Sequence, residues 1–586
     1  MRQYVLPMLF SGLVGLTLCS PAAAQLKPIV LFSTSPMQEL LADGEYVDEL
    51  VSEQKQALWP QAPAFLQGID LTKPIGGGIF TDAGGFAIKP IGFIPVSNFE
   101  QAVNRAGIFV GGAQDGTNGI KIVGPVHIKK QEGYAFLAQD EATLSELPTP
   151  EKVLGGFEQN YDLSLTVFLE NLPPQLKMIG LGMLRQSIDE STKQLDDESD
   201  EQFKLRKEMT QQQLDSMTKT LEQLETISIG ISIDQSNKQL MIDYMVKALP
   251  GTDMAEMYGQ MATAKSRFSS MLHDDAVFSM NSAVEVNDPE QIEQTVLQIE
   301  SGREEILAEI EESDKIQTDE DRQAFKELVR EGSELFIAFI KQGSTDFAVT
   351  TLQASDKSFQ TYGGVYCEEA REVEAYVKKL VKMEPTFRRY AKAEAEEEGR
   401  EADFPEIDVN LDSETFSGAT IHEISFPPST KEKVREVVQA LMGPDPKFYL
   451  AFAENGIWFA SGSGVSDALK SLIKTTQSDE MKEVSPFQLT VKTAPVAERI
   501  LYLDQFSEEE DADPEVTQKI MEQLPEDGGL VKITTKPAEG GLLYRTTASE
   551  EVVSFVAYVA RTISEKMGEA MEEVGDEIEA DDFDNF

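Results

Sequence analysis

Three histidines, His127, His273 and His422, and two cysteines, Cys19 and Cys367, are all that this 586-residue chain holds of the side chains most often used as nucleophiles, bases and soft metal ligands. His422-Glu423 opens the pattern in which two histidines four residues apart hold zinc on one helical face. Phe426 stands where the second histidine belongs, and ATIHEISF alternates as a strand does. His127, between Val126 and Ile128, is expected on the opposite strand face from both, so these two histidines read as structural. Cys367 reads as a small buried hydrophobe at a strand end. DVNLDSETFSGA, residues 408–419, begins as a calcium loop does. It has Ser413 where glycine makes the sharp turn and Ala419 where a bidentate glutamate is required, and Ile407, Val409 and Leu411 alternate as in a strand edge. GGGIFTDAGG, residues 76–85, lacks the Lys-Ser/Thr of a phosphate-binding loop, so its glycines are expected in tight hairpin turns.

Methionine is distributed unevenly, with eleven of the twenty lying between Met178 and Met280. Met254, Met257 and Met261 share one helical face, which reads first as a pliable core stripe. Two sharper chemistries fit the same residues. One is a thioether site for Cu(I) built from Met254, Met257 and Met261. The other is an apolar-ligand lining made by Met241, Met245, Met254, Met257 and Met261. No catalytic or cofactor-binding residue is assigned, and 102 acidic side chains are too many for any one carboxylate pair to stand out.

The formal net charge of −51 repels phosphate backbones and anionic membrane surfaces, so nucleic acid is excluded as a partner. MRQYVLPMLFSGLVGLTLCSPAAAQ has the basic start, apolar run and small-residue cleavage site of a secretory leader ending at Ala24. Its cleavage removes Cys19 and leaves Cys367 without an intrachain partner. The mature chain is expected in the periplasm or cell envelope with no transmembrane segment.

The elements that would position any site come twice. GYAFLAQDEATLSEL (133–147) and GIWFASGSGVSDALKSL (456–472) both read as the end of a hairpin followed by a helix. DLSLTVFLENLPPQL (162–176) matches PFQLTVKTAPVAERI (486–500) as strand then proline-started helix. Residues 79–103 match 347–377, and TISIGISIDQSNKQLMIDYMVKAL matches GLVKITTKPAEGGLLYRTTAS. In the former, Ile227, Ile229, Ile231 and Ile233 alternate with Ser228, Gly230, Ser232 and Asp234, as in a half-buried antiparallel pair. The fold class expected is α+β, in two pseudo-repeated halves. Each half is an antiparallel sheet of hairpins covered by helices, with charged helical insertions near 189–225 and 378–407. The boundaries expected are a leader at 1–24, halves at 25–300 and 301–564, and an acidic tail at 565–586. FSMNSAVEVNDPEQIEQTVLQIE is expected to close the first half, Asp288 capping a helix begun by Pro289.

KPIGFIPVSNFEQAV, GYAFLAQDEATL and YDLSLTVFLENLPPQLK, followed by the charged insert and ISIGISID, resemble a family of exported bacterial proteins of unknown function. The resemblance implies export and the repeated layout, and carries over no catalytic residues. The leading functional expectation is a non-catalytic binding or scaffold protein with an envelope protein as partner. The alternatives are a carrier of a lipid or other apolar small molecule, held between sheet and methionine-rich helices, and a hydrolase using paired carboxylates.

Overall fold

The computed structural model describes residues 26–51, 65–82, 87–285 apart from 111, 146, 155, 157, 158, 192, 195–199 and 274, 288–397 apart from 314 and 317, 407–426, 432–504 apart from 478 and 479, 522, and 528–559. The leader, the acidic tail and part of both charged insertions lie outside these residues. The chain mixes helix with antiparallel sheet and divides into two compact units. One comprises the chain to Ser191 with Met217–Gln235 and Ile242–Leu249; the other comprises Thr192–Ser216, Ser236–Met241 and everything from Pro250.

The first unit's strands are β1 (Lys27–Pro36), β2 (Pro74–Thr81), β3 (Ile88–Pro95), β4 (Ala113–Asp115), β5 (Lys121–Val123), β6 (Val126–Gln131), β7 (Tyr134–Ala138), β8 (Leu163–Phe168), β9 (Leu224–Asp234) and β10 (Gln239–Ala248). They pair in the order β4-β5-β6-β7-β3-β2-β1-β8-β9-β10. At the β6–β7 end both faces are covered. Phe93, Phe136 and Ala138 pack with Leu144 and Leu154 on one face, while Ala135 and Ile128 pack with Phe99 and Val103 of helix Phe99–Val110 on the other. Gly76, Gly77 and Gly78 lie inside β2, not in hairpin turns as expected. A Cβ at Gly76 would sit 2.5 Å from the Phe93 ring, and one at Gly77 would sit 2.7 Å from the Phe32 ring. These glycines let aromatic rings lie flat on the sheet.

The second unit adds β11 (Lys265–Ser266), β12 (Phe278–Glu285), β13 (Ser344–Gln353), β14 (Phe359–Tyr366), β15 (Asp408–Phe416), β16 (Ala419–Ser425), β17 (Lys447–Phe452), β18 (Gly456–Gly462), β19 (Lys482–Glu483), β20 (Phe487–Lys492), β21 (Leu530–Ala538) and β22 (Gly541–Ser549). β11 and β19 form a separate ribbon. The other ten pair in the order β15-β16-β17-β18-β14-β13-β12-β20-β21-β22, again all antiparallel. Strand β12, expected to close the first half, lies instead at the centre of this second sheet, between β13 and β20. Local sequence could not place it, because its partner β20 arrives some two hundred residues later. Asp288 does cap the helix that starts at Pro289, accepting from Gln291 N–H at 3.3 Å. Helix Ala370–Glu397 covers one face of this sheet beside β17. Helix Ser466–Thr476 covers the other, its Leu469, Leu472 and Ile473 packing with Trp458, Ala460, Ala451 and Ile421.

Candidate functional site

The buried surface of the central strands inverts the usual alternation. On β9 it is Thr226, Ser228 and Gly230 that are buried, while Ile227, Ile229, Ile231 and Ile233 lie toward solvent, the reverse of the expected half-buried isoleucine face. Hydrogen bonds make the polar face buriable. Ser33 Oγ lies 2.7 Å from Ser164 Oγ, and Thr166 Oγ1 lies 2.9 Å from Ser228 Oγ. The Tyr161 ring covers Gly230, and its hydroxyl donates to Asp243 Oδ2 at 2.7 Å. On the opposite side the register aligns apolar residues in rows. Phe32 of β1 stands opposite Leu165 of β8, which stands opposite Ile229 of β9, and these are 40, 42 and 41% exposed. Flanking rows bring Leu163 beside Ile231 and Val167 beside Ile227, while Ile242 and Tyr244 of β10 are also exposed. An exposed apolar surface of this continuity is uncommon on a monomer.

Two titratable clusters lie away from that face. In the first unit, Gln235 Nε2 donates to Asp43 Oδ1 at 2.8 Å, and Asp162 Oδ2 accepts from Ile233 N–H at 2.6 Å. Burial first, opposed by the Gln235 bond and then joined by the charges of Asp162 and Glu39, raises the Asp43 pKa from 3.8 to about 6. The two carboxyls also hydrogen-bond each other, and they tie helix Met37–Val51 to the β9 end. Between about pH 4 and 6 the folded chain keeps a proton the unfolded chain releases, so this group's contribution falls as pH rises through that window. Asp43→Asn is expected to flatten that slope and to add about 2 kcal/mol near neutral pH, after discounting for solvent screening. Denaturation midpoints measured across the window check this; an unchanged slope would refute it.

In the second unit, Glu374, Asp412 and His422 bring ligand-type atoms within 4.8 Å of one another. His422 is 1% exposed, on β16 opposite Leu450, its ring 5.6 Å from that of Phe452. Its Nδ1 accepts Asp412 N–H at 2.9 Å, which places the proton on Nε2, and that nitrogen lies 3.4 Å from Glu374 Oε1. Lys378 Nζ lies 2.8 Å from Glu374 and 2.7 Å from Asp412, and Arg371 lies 2.6 Å from Glu374. The residues do not fit a metal ion. The nitrogen with a lone pair is already bonded to a backbone N–H, the other carries hydrogen, and an ammonium bridges the carboxylates.

Met254, Met257 and Met261 are half-buried on helix Asp253–Met261, which packs on β12, β21 and β22, with Tyr258 its buried residue. Met241 and Met245 are half-buried on β10. Met271, in the second unit's core, is fully buried. His127 is half-buried on β6, 3.1 Å from the Gln139 carbonyl oxygen. Cys367 is buried just after β14, where desolvation pushes its thiol pKa up. Among the described residues no helix is long and apolar enough to cross a membrane. Comparisons with protein-family models, curated proteins and solved structures give no match.

Proposed function

We propose that this chain is an exported, non-catalytic binding protein built from two copies of one ten-strand module, and that it carries an elongated apolar molecule of the acyl-chain class. The observation behind the ligand is the Phe32–Leu165–Ile229 row and its neighbours, bare on a sheet whose opposite face is polar and buried. The aliphatic and phenylalanine side chains of that face neither donate nor accept hydrogen bonds, and Thr34, opposite Leu163, turns its hydroxyl to the Ser35 carbonyl oxygen at 2.8 Å. The backbone groups beneath are used in the ladder, so affinity comes from buried area at about 25 cal/mol per Å² and discriminates by shape and length. The chain's charge of −51 favours ligands presented singly over an anionic membrane surface.

Two features support duplication. Strand order corresponds position by position, β1 to β12, β2 to β13, β3 to β14, β4–β7 to β15–β18 and β8–β10 to β20–β22. The inverted alternation also recurs, with Ser279, Asn281 and Thr350 buried while Phe278, Met280 and Val349 are half-buried. The envelope-scaffold reading draws on a different feature. Helices Pro289–Glu312, Asp319–Lys341 and Ala370–Glu397 pack together, and Leu297, Ile306 and Phe336 remain exposed on the first two.

Titration with a fluorescent fatty acid tests the carrier. Saturable binding is expected, weakened at least about tenfold in the double variant Leu165→Gln/Ile229→Gln, two buried apolar contacts each contributing about 1 kcal/mol. Equal binding by the variant, with its circular dichroism unchanged, would remove the sheet face as the site. Absence of binding in the wild-type chain, with a protein neighbour found by crosslinking in the native cell, would favour the scaffold.

A further inference from the structure

Among the described residues strand β15 is the outer strand of its sheet, pairing with β16 alone, and its register with β16 breaks between Asn410 and Glu414. Asp412 sits at the crest of that bulge with φ +55°, a left-handed conformation that a non-glycine residue adopts at a cost of about 1 kcal/mol or more. Something must hold it there, and the His422 side chain does so from beneath. Its Nδ1 is the acceptor for the Asp412 N–H, and Ser413 Oγ adds a bond to the Ile421 carbonyl oxygen at 3.0 Å. The same residue also offers the opposite partner, for Asp412 Oδ1 lies 3.8 Å from that nitrogen and is held off it by Lys378. A donor and an acceptor from one bulge residue thus flank one imidazole nitrogen.

We propose that His422 and Asp412 form an acid-operated latch on edge strand β15. With the imidazole neutral, Nδ1 accepts the backbone N–H and the bulge is closed. When a proton from water adds to Nδ1, that atom becomes a donor and the N–H bond is lost. The Asp412 carboxylate then takes the nitrogen as its partner, leaving Lys378 to Glu374, and the bulge opens.

The groups facing the imidazole set its sensitivity. Glu374 and Lys378 approach from helix Ala370–Glu397, Asp412 from β15, and Phe452 from β17, while Arg371 bonds Glu374 from one turn earlier. Burial lowers the His422 pKa, Glu374 opposes it, Lys378 reinforces it and Asp412 opposes it, with a net lowering. The closed state is therefore fully held above the ordinary imidazole value of 6.5 and is lost progressively at more acid pH.

Amide hydrogen exchange of residues 408–416 tests the latch. After correction for intrinsic chemistry, protection in the wild-type chain is expected to fall about tenfold or more between about pH 7.5 and about pH 4, a window that reaches well below the ordinary imidazole value because burial lowers the His422 pKa. It should stay constant in His422→Asn, whose amide oxygen can accept the Asp412 N–H without titrating. Equal wild-type protection at both pH values, or the same loss in the variant, would overturn the latch. Nitrogen chemical shifts of the wild-type ring decide the matter should the variant fail to fold. An Nε2–H tautomer near neutral pH is required, and an Nδ1–H tautomer refutes it.

Discussion

Truncating Trp458 to alanine is expected to lower the stability of the second unit by about 4 kcal/mol. The indole is buried on β18 opposite Gly364 of β14, and its Nε1–H donates to Thr476 Oγ1 at 2.8 Å. It is packed against positions that carry no side chain. A Cβ at Gly456 would fall 2.6 Å from the indole ring, and one at Gly364 would fall 3.0 Å from it and collide with Phe268. Glycine cannot reach into the space a missing indole leaves, so the cavity stays open and the cost belongs at the upper end for such truncations. Trp458→Phe keeps most of the volume and should cost less than half as much, the lost bond to Thr476 included. Urea denaturation followed by circular dichroism separates the two variants. Equal midpoints for wild type and Trp458→Ala would mean that neighbours collapse into the site and that the glycines do not keep it open.

The same residues show how far the sequence could be read. Hairpins were legible, because turn chemistry and alternation are local, but the helix expected after Tyr134 is a single 3-10 turn at Thr143–Ser145, whereas the one after Trp458 is the full helix Ser466–Thr476. Strands β1 and β12 take like places in their strand orders, yet KPIVLFSTSP and FSMNSAVE share little beyond alternating small polar residues. Alternation also identifies two faces without saying which is covered. The isoleucines of β9 lost the interior because Ser228 meets Thr166, 62 residues away, and Ser33 meets Ser164, 131 residues away. The glycines of β2 were misread for a related reason, as their function is to receive rings from other strands. His422 was correctly placed on a strand, but its partners come from a helix and from a bulge whose geometry leaves no mark on composition.

Glu374 is where that cluster can be broken most damagingly. Its side chain is 8% exposed and accepts from Arg371 and Lys378, with the His422 Nε2–H at 3.4 Å. Burial alone would raise its pKa; the bonds from Lys378 and Arg371 outweigh it and hold the carboxyl below its ordinary value. Glu374→Leu removes the anion and leaves the cations, of which Lys378 retains Asp412 and Arg371 retains Thr420 and the Gly418 carbonyl oxygen. The imidazole N–H is left facing hydrocarbon. A loss of about 3 kcal/mol is expected, the lower bound for breaking a buried ion pair, because each cation keeps at least one partner. Glu374→Gln, which still accepts hydrogen bonds, should lose only about 1–2 kcal/mol. The sign with pH follows from the depressed pKa. The carboxylate's contribution is present above about 4.5 and disappears as pH falls below it, so both variants should converge on the wild-type chain in acid. Removing the carboxylate also takes away the group that favours the imidazolium, so the His422 titration should move further to acid in either variant. A stability gap that persists undiminished near pH 3, or a His422 titration that moves toward neutrality, would show that Glu374 acts by packing alone.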